Sequence, residues 1–279
     1  MKFDFFTFGG AIFWEDVFFY QKWRIQRNCF TKKYRLLDSW DIRRASGTFD
    51  TCKNAFIEYI ESHEITKQKG KMVVLLHGYM DSKNIFKKLW RRFILTKSTV
   101  VALNYPSLFK SAKASAHQLL FFLNHMDDIT EVSFVTKGCG NLVLQQMFNL
   151  PINYQTFLEK TRIRNIVLIN PVIKENLFYE FLAKYKLFRW ICGPMLQDMS
   201  KKSIESTPSI PSNIKCLKIF SESRAYRFFI SLVKLTKFPL KNKNRAEKDS
   251  VTIKGTIFNQ LKNDELLNYV VKFVNNGKI

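Results

Sequence analysis

The residues of this chain with the clearest chemical potential lie in one short stretch, Glu131 to Asn141. Its first half, Glu131 to Thr136, is rich in β-branched and aromatic residues, and a helical spacing of apolar residues begins after Gly140. This pattern predicts a strand, a sharp turn and a helix start. Turns of the form G-x-S-x-G present a nucleophilic serine from their apex. Here Gly138 occupies that apex, with Cys139 beside it, so the expected nucleophile has no side chain.

The elements that would position this turn follow a regular alternation. Apolar or β-branched runs predict six strands, at 72–76, 99–103, 131–136, 165–170, 216–220 and, more weakly, 250–253. Helical spacing predicts helices at 50–62, in the stretch that Ser82 can cap, at 112–125, after the turn to about residue 148, and at 264–275, where Gly277 would end the last one. Strands that alternate with helices in this way indicate a doubly wound α/β fold, with a mostly parallel sheet covered on both faces.

Four segments then resemble the bacterial lipase-like and esterase-like α/β-hydrolases. In chain order they are Leu75-Leu76-His77-Gly78-Tyr79, Leu103-Asn104-Tyr105-Pro106-Ser107, Phe134 to Asn141, and Phe188-Arg189-Trp190 with Gly193-Pro194. In that family the corresponding runs read roughly H-G, N-Y-P-S, F-V-T-H-S-M-G-G and F-R-x-x-x-G-P. The resemblance extends from about residue 20 to the C-terminus. It implies an α/β-hydrolase-like domain at 71–279, on which we expect residues 1–70 to pack as an aromatic and basic helical segment.

The family hydrolyses esters or acyl groups with a serine, an acid and a histidine in that chain order, and the sequence lacks two of these. Gly138 stands at the serine position. The only histidines are His63, His77, His117 and His125, all before the turn. The family's histidine lies near the last strand, where Lys254 or Gly255 falls here. Asp249 is nearest to the position of the acid, but it has no histidine to orient. The resemblance therefore implies a degenerate catalytic triad.

The rest of the family's catalytic geometry uses backbone groups, which any residue except proline supplies. The resemblance places the two amides of an oxyanion hole at Tyr79 and Cys139, with His77, Gly78 and Gly140 as motif positions. We interpret His77 as a structural residue of the turn after its strand. Cys139 is a substitute nucleophile only if its thiol pKa is lowered by the helix N-terminus and Lys137. Against this, Cys139 lies one residue past the apex and no histidine follows it, so a buried thiol is the alternative.

The amino-acid composition limits the classes of partner and cofactor that we expect. The 279 residues include 45 Lys+Arg and 23 Asp+Glu, a formal net charge of +22. This excess favours anionic partners, although a lysine-rich solvated surface explains it equally well. The five cysteines show no C-x-x-C spacing, which indicates reduced thiols in the cytoplasm and gives no metal signature. No cofactor motif, secretory signal or long apolar run is present, so we expect no cofactor, no metal and no transmembrane segment.

Residues 3–23 combine many aromatic residues with a basic stretch that follows them. Aromatic rings in the headgroup region and cations on phosphates would attach such a segment to a membrane surface. The alternative is a helix packed over the sheet. The acidic pair Glu15-Asp16 opposes the first interpretation, because anionic lipid would repel it.

From these observations we expect a non-catalytic binding or scaffold protein, a pseudoenzyme, in the cytoplasm and peripheral to the inner face of the membrane. Its partners would be an anionic lipid, an acyl ligand or another protein. The first alternative is an acyl-ester hydrolase with residual or unorthodox activity. A basic nucleic-acid-binding protein is the second alternative and ranks lowest, because no nucleic-acid recognition motif accompanies the basic residues.

Overall fold

The computed structural model describes residues 12–63, 69–96, 98–126, 128–150, 160–172, 186–199, 210–222, 250–254 and 260–278. The strands of these ranges are β1 (Trp14–Tyr20), β2 (Trp23–Asn28), β3 (Tyr34–Leu37), β4 (Arg43–Gly47), β5 (Gly70–Leu76), β6 (Thr99–Leu103), β7 (Ile129–Lys137), β8 (Arg162–Ile169), β9 (Lys215–Glu222) and β10 (Ser250–Lys254). Their helices are α1 (Phe49–His63), α2 (Lys87–Ile94), α3 (Ala112–Asn124), α4 (Gly140–Phe148), α5 (Lys186–Asp198) and α6 (Asp264–Asn276). Short 3₁₀ turns occupy Lys83–Phe86 and Gln260–Lys262.

The core of the fold is a six-stranded sheet in the order β10-β9-β8-β7-β5-β6. Every adjacent pair in it is parallel. All six strands occur where the apolar runs predict them, which confirms the expected doubly wound α/β class. Because the strands are parallel, their carboxyl ends meet at one edge, where β7 delivers the predicted turn.

Helices cover both faces of this sheet, and the side-chain alternation of β5 shows why the sequence folds in two layers. Met72 and Val74 point to the face covered by α3 and α4, in a cluster with Phe134 of β7. Val73 and Leu75 point to the opposite face, covered by α2 and α6. A strand with apolar residues on both faces is buried on both sides, as expected for a parallel sheet.

The predicted ends of several helices can also be checked. α6 begins at Asn263, whose side chain accepts hydrogen bonds from two backbone amides of the first turn, and it ends at Gly277 with φ of +67°. This confirms the predicted stop. Ser82, in contrast, precedes a 3₁₀ turn, and its side chain makes no capping hydrogen bond. No helix in the described ranges is long and apolar enough to cross a bilayer.

The N-terminal segment, predicted to be helical, forms strands over residues 14–47, so that prediction is wrong there. These residues form a second, antiparallel sheet in the order β1-β2-β3-β4. β-branched and aromatic residues alternate with polar ones there, which favours strands. Only α1 is helical, as predicted, and it packs Cys52 and Phe56 against this sheet. Residues 1–11, with the first aromatics of the segment, lie outside the described residues.

The acidic pair of β1, which in the sequence argued against contact with anionic lipid, is buried and paired within the protein. Glu15 and Asp16 are both 0% exposed. Glu15 binds Arg27, with Nε 2.6 Å from Oε1, and also Lys110. Asp16 accepts hydrogen bonds from Arg24 at 3.0 Å and Gln26 at 2.7 Å. Buried carboxylates with this many partners stabilise the packing of the antiparallel sheet and are not free to bind a ligand.

Asp16 also fixes the antiparallel sheet to the carboxyl end of β6. The backbone amide of Asn104 donates to the Asp16 carboxylate at 2.7 Å, and the Asp16 amide donates to the Asn104 carbonyl at 2.9 Å. The side-chain amide of Asn104 donates to the Trp14 carbonyl at 2.6 Å. The N-terminal sheet is therefore joined to the parallel sheet at the N-Y-P-S segment that follows β6.

Candidate functional site at the carboxyl edge of the sheet

The predicted turn connects the central strand β7 to α4 through Gly138, which has φ of +52°. Its amide donates to the Ile169 carbonyl at 2.9 Å, and its carbonyl accepts from the Asn141 amide at 3.3 Å. In the described part of the chain, a Cβ at position 138 would meet one atom within 4 Å, the Gly78 Cα at 3.6 Å. There is consequently room for a side chain at the apex, but the positive φ strains any residue other than glycine.

The second glycine of the turn is required by close packing. A Cβ at Gly140 would lie 2.7 Å from the Leu76 carbonyl oxygen and 3.0 Å from that of His77. Backbone atoms on both sides leave no space for a methyl group. The start of α4 therefore lies directly against the end of β5, which brings the turn after β7 and the His77-Gly78 turn together.

His77 is buried and both of its ring nitrogens have partners. Its Nε2 accepts from the Tyr105 amide at 3.3 Å, so Nδ1 carries the proton and donates to the Gly78 carbonyl at 2.9 Å. The ring stacks on Tyr105, with centroids 4.1 Å apart, and the Tyr105 hydroxyl donates to the His77 carbonyl. Burial lowers the pKa of His77 to about 4. A neutral imidazole with both nitrogens engaged has no free position from which to act as a base.

Cys139 is only 1% exposed. Burial raises the pKa of its thiol far above the ordinary value, and the carboxylates of Asp81 and Asp198 add to the effect, while Lys137 opposes it weakly. The thiol is therefore protonated at neutral pH, and a protonated thiol is a poor nucleophile. The electrostatics of the site favour the buried alternative over the substitute nucleophile.

An ion pair beside the apex is a feature that the sequence did not reveal. Lys137, at the position of the family's histidine before the serine, is 8% exposed. Its Nζ lies 2.8 Å from Oδ2 of Asp81. Asp81 belongs to the turn after β5, where its amide donates to the Gly78 carbonyl at 3.3 Å. In the sequence, a lysine four residues before Asn141 and an aspartate three residues after Gly78 give no sign that they pair, because the pairing depends on the approach of the two turns.

The other candidate residues are not brought to the apex. The imidazoles of His63, His117 and His125 are exposed on α1, on α3 and just after α3. Asp198 accepts a hydrogen bond at 2.6 Å from the Ala112 amide at the start of α3. Asp249 and Gly255 lie outside the described residues, as does the side chain of Lys254. In the ranges that the structure describes, no group of His, Cys, Asp or Glu could hold a metal ion.

The G-P segment has a clear structural function. Gly193 interrupts α5 with φ of +70°, and a Cβ there would lie 1.7 Å from the Leu108 carbonyl oxygen. Pro194 then starts the second part of the helix, where a proline is well accepted. The Tyr79 hydroxyl donates to the Cys192 carbonyl, which fixes α5 to the turn after β5.

Exposed apolar side chains lie on segments that contact these turns, and we call these side chains the apolar rim. They are Phe30, Trp40, Ile42, Met80 and Trp190, exposed by 60%, 82%, 53%, 58% and 82%. Phe30 packs edge-to-face against Phe109 after β6. Trp40 and Ile42 flank Asp41, which pairs with Lys83 after β5. Single exposed apolar residues are ordinary, but several near one site indicate a binding surface.

The six-stranded parallel sheet, covered by helices on both faces, and the glycine turn after its central strand define a doubly wound α/β protein. No protein-family model matches the chain. No curated protein matches it by sequence. Esterases and a thioesterase domain are among the solved structures with similar folds.

Three of these structures illustrate the similarity. Carboxylesterase CesB (YbfK) from Bacillus subtilis is 14% identical, with a TM-score of 0.45 over 76% of this chain and 86% of that one. A thermophilic esterase from Thermogutta terrifontis is 10% identical, with a TM-score of 0.47 over 76% of this chain and 92% of that one. The NocB thioesterase domain from the nocardicin cluster is 10% identical, with a TM-score of 0.47 over 75% of this chain and 95% of that one.

Proposed function

We propose that this protein is a non-catalytic binding protein that uses an α/β-hydrolase-type scaffold. The observation that carries the proposal is the glycine at the apex of the elbow, at a φ that a nucleophile would have to occupy under strain. The absence of any histidine after His125 removes the general base independently. Loss of such triad members lowers kcat by on the order of 10⁶ in serine hydrolases.

The groups that remain near Gly138 support this proposal, because each is already engaged. The His77 ring is buried and neutral, and the Lys137 ammonium is paired with Asp81. The thiol of Cys139 is buried and protonated. A hydrolase needs a nucleophile within hydrogen-bond reach of a base. The described residues offer no such pair at the apex, which disfavours the alternative of an acyl-ester hydrolase.

The apolar rim supports a proposal about the ligand. We propose that the protein binds an acyl chain or the acyl region of a membrane lipid, and that it acts as a peripheral component of the cytoplasmic membrane surface. Basic side chains adjoin the rim, among them Lys32, Lys33 and Arg43. Aromatic residues beside cations suit the interface of an anionic bilayer.

The catalytic side of the proposal is tested with short-chain nitrophenyl esters and a fluorophosphonate probe on the intact protein. We expect no turnover above buffer and no covalent labelling, because no activated nucleophile exists. Ester turnover that disappears in Cys139→Ala would show that the proposal is wrong.

The lipid side is tested by co-sedimentation with vesicles that contain phosphatidylserine. The double variant Trp40→Ala/Trp190→Ala should bind roughly tenfold more weakly, because it removes two large exposed rings from the rim. Leu95→Ala is the matched control, since Leu95 is 84% exposed at the end of α2, at the opposite edge of the sheet. Absence of binding at low salt, or an equal loss in the control, contradicts lipid binding through the rim.

A further inference from the structure

The amino edge of the six-stranded sheet, opposite the elbow, contains an open cleft with a volume of about 920 Å³. Five cationic side chains and one carboxylate line it: Lys71, Lys160, Arg162, Arg164 and Lys215, with Glu131. Strand register explains why they meet there. Lys71 of β5 pairs with Glu131 of β7, and Glu131 pairs with Arg162 of β8. Asn165 of β8 pairs with Lys215 of β9, so the basic residues cross four adjacent strands.

Three of these cations are available to a ligand. Lys160, Arg162 and Lys215 are exposed and have no carboxylate partner among the described residues. The two others share Glu131, whose Oε2 lies 3.6 Å from Lys71 Nζ and 3.2 Å from Arg164 Nη1. The cleft therefore carries a formal charge of +4, concentrated in a concave surface. Concave surfaces lined by one sign of charge focus the electrostatic field and attract the opposite sign.

The C-terminal end of α6 brings negative potential to this edge, and hydrogen bonds within the protein already neutralise it. The C-terminus of α6 points to the cleft, and its last carbonyls carry partial negative charge. Asn165 donates to the carbonyls of Phe273 and Val274 at 3.2 and 2.9 Å, and Arg164 donates to that of Asn275 at 2.9 Å. A register shift in the pairing of β7 with β8 allows both side chains to reach the helix. Bulges of this kind re-aim side chains.

The position of Lys215 is also defined by the end of α6. A Cβ at Gly277 would lie 3.0 Å from Lys215 Cδ and 3.2 Å from its Nζ. The lysine side chain therefore lies beside the glycine that ends α6, with its ammonium group at the cleft.

We infer that this cleft is a binding site for a compact anion with two or more phosphate groups. Lys71 and Lys215 stand three strand intervals apart, roughly 14 Å at the backbone. A row of cations of that length suits several phosphates better than a single one. The described lining contains no aromatic side chain, whereas single-stranded nucleic acids are usually held by stacking of bases on aromatic rings. A concave site also suits a small anion better than a flat bilayer.

The test is calorimetric titration of the intact protein with tripolyphosphate at low salt, beside orthophosphate, an oligothymidylate and vesicles that contain a phosphoinositide. We expect tripolyphosphate to bind at least tenfold more tightly than orthophosphate. Arg162→Glu and Lys215→Glu should each weaken tripolyphosphate binding by roughly tenfold. Both side chains are exposed, so thermal unfolding should be unchanged. Lys53→Glu, an exposed lysine on α1, is the matched control and should bind as the unmodified protein does.

Three results would overturn the inference. One is an equal loss in Lys53→Glu, which would mean that only the net charge matters. Another is equal binding of orthophosphate and tripolyphosphate. The third is much tighter binding of the oligonucleotide or the vesicles with the same sensitivity to Arg162→Glu, which would assign the cleft to a polymer or a membrane. None of these results bears on the elbow, since ester hydrolysis and rim variants are measured separately.

Discussion

Several polar side chains at the two edges of the six-stranded sheet differ in their exposure to solvent and in their partners within the protein. At the carboxyl edge, Asp16, His77 and Lys137 are buried, and each is bound by neighbours within the protein. At the amino edge, Arg162 and Lys215 are exposed and lack a carboxylate partner in the described part of the chain. Ligands of α/β proteins usually bind at the carboxyl edge. In this protein the buried polar groups of that edge stabilise the fold, whereas Arg162 and Lys215 at the amino edge lie exposed at the proposed anion site.

The largest expected effect at the carboxyl edge comes from Asp16→Ala. It leaves Arg24 and Gln26 without their carboxylate and removes the bond to the Asn104 amide. Removing one partner of a buried ion pair costs about 3–5 kcal/mol of unfolding free energy. Urea denaturation measures it, with Asp264→Ala as the control, since that carboxylate is 71% exposed in its pair with Arg92. A loss below about 1 kcal/mol for Asp16→Ala would show that the carboxyl edge is not held by buried charge.

The second-largest loss of stability is expected when the pH is lowered. The pKa of His77 is about 4 in the folded protein because of burial, and it is about 6.5 in the unfolded chain. Between these values the unfolded state binds a proton that the folded state does not, so stability is complete above pH 6.5 and falls as the pH falls towards 4. The loss amounts to about 3 kcal/mol.

Denaturation curves at several pH values check this. His77→Gln should have a flatter dependence between pH 6.5 and 4, and His117→Gln, on an exposed face of α3, should keep the full slope. An unchanged slope in His77→Gln would mean that other groups cause the acid sensitivity.

A smaller effect is expected at the apex. Gly138→Ser adds a Cβ that makes an ordinary contact with the Gly78 Cα, but at a φ of +52°. We expect a loss of about 1–2 kcal/mol in unfolding free energy and no ester hydrolysis, because the serine has no base. Gly138→Ala should cost the same, which separates backbone strain from effects of the hydroxyl. Nitrophenyl ester turnover by Gly138→Ser alone would imply that another group near the apex acts as a base.

The smallest change in stability is expected at the amino edge. Glu131→Gln removes a partly exposed carboxylate from its pairs with Lys71 and Arg164, which should cost less than about 1 kcal/mol. The same variant raises the positive charge of the cleft, so tripolyphosphate should bind several-fold more tightly. A large loss of stability, or weaker binding, would remove the contrast between the two edges.

Much of the parallel core could be predicted from the sequence, because continuous apolar runs such as Met72 to Leu76 have few alternatives to a buried strand. The end of α6 at Gly277 follows in the same way from a residue type that suits a left-handed backbone. The antiparallel sheet could not be predicted so easily. In β1, aromatic residues on both sides of an acidic pair resemble an amphipathic helix until Arg24 and Arg27 of β2 provide partners for the two carboxylates.

At the site, the glycine apex and the missing histidine are visible in the sequence, because they depend on residue types and chain order alone. The pairing of Lys137 with Asp81 and the burial of Cys139 depend on how closely the two turns approach, which spacing does not encode. The basic cleft was equally hidden. Its cations are far apart in the sequence, and only the parallel register of β5, β7, β8 and β9 places them side by side.

The bonds between Asp16 and Asn104 join residues that are 88 positions apart in the chain. During synthesis the ribosome adds about 5–20 residues per second, so Asp16 emerges on the order of ten seconds before its partner. The hairpin of β1 and β2 can form in that interval, since Arg24 and Gln26 follow closely. The Asp16 carboxylate nevertheless stays exposed to water until β6 is complete. The N-terminal sheet therefore cannot pack completely until the parallel sheet has formed. A nascent chain that pauses before residue 104 would expose an edge of the N-terminal sheet that the finished protein covers.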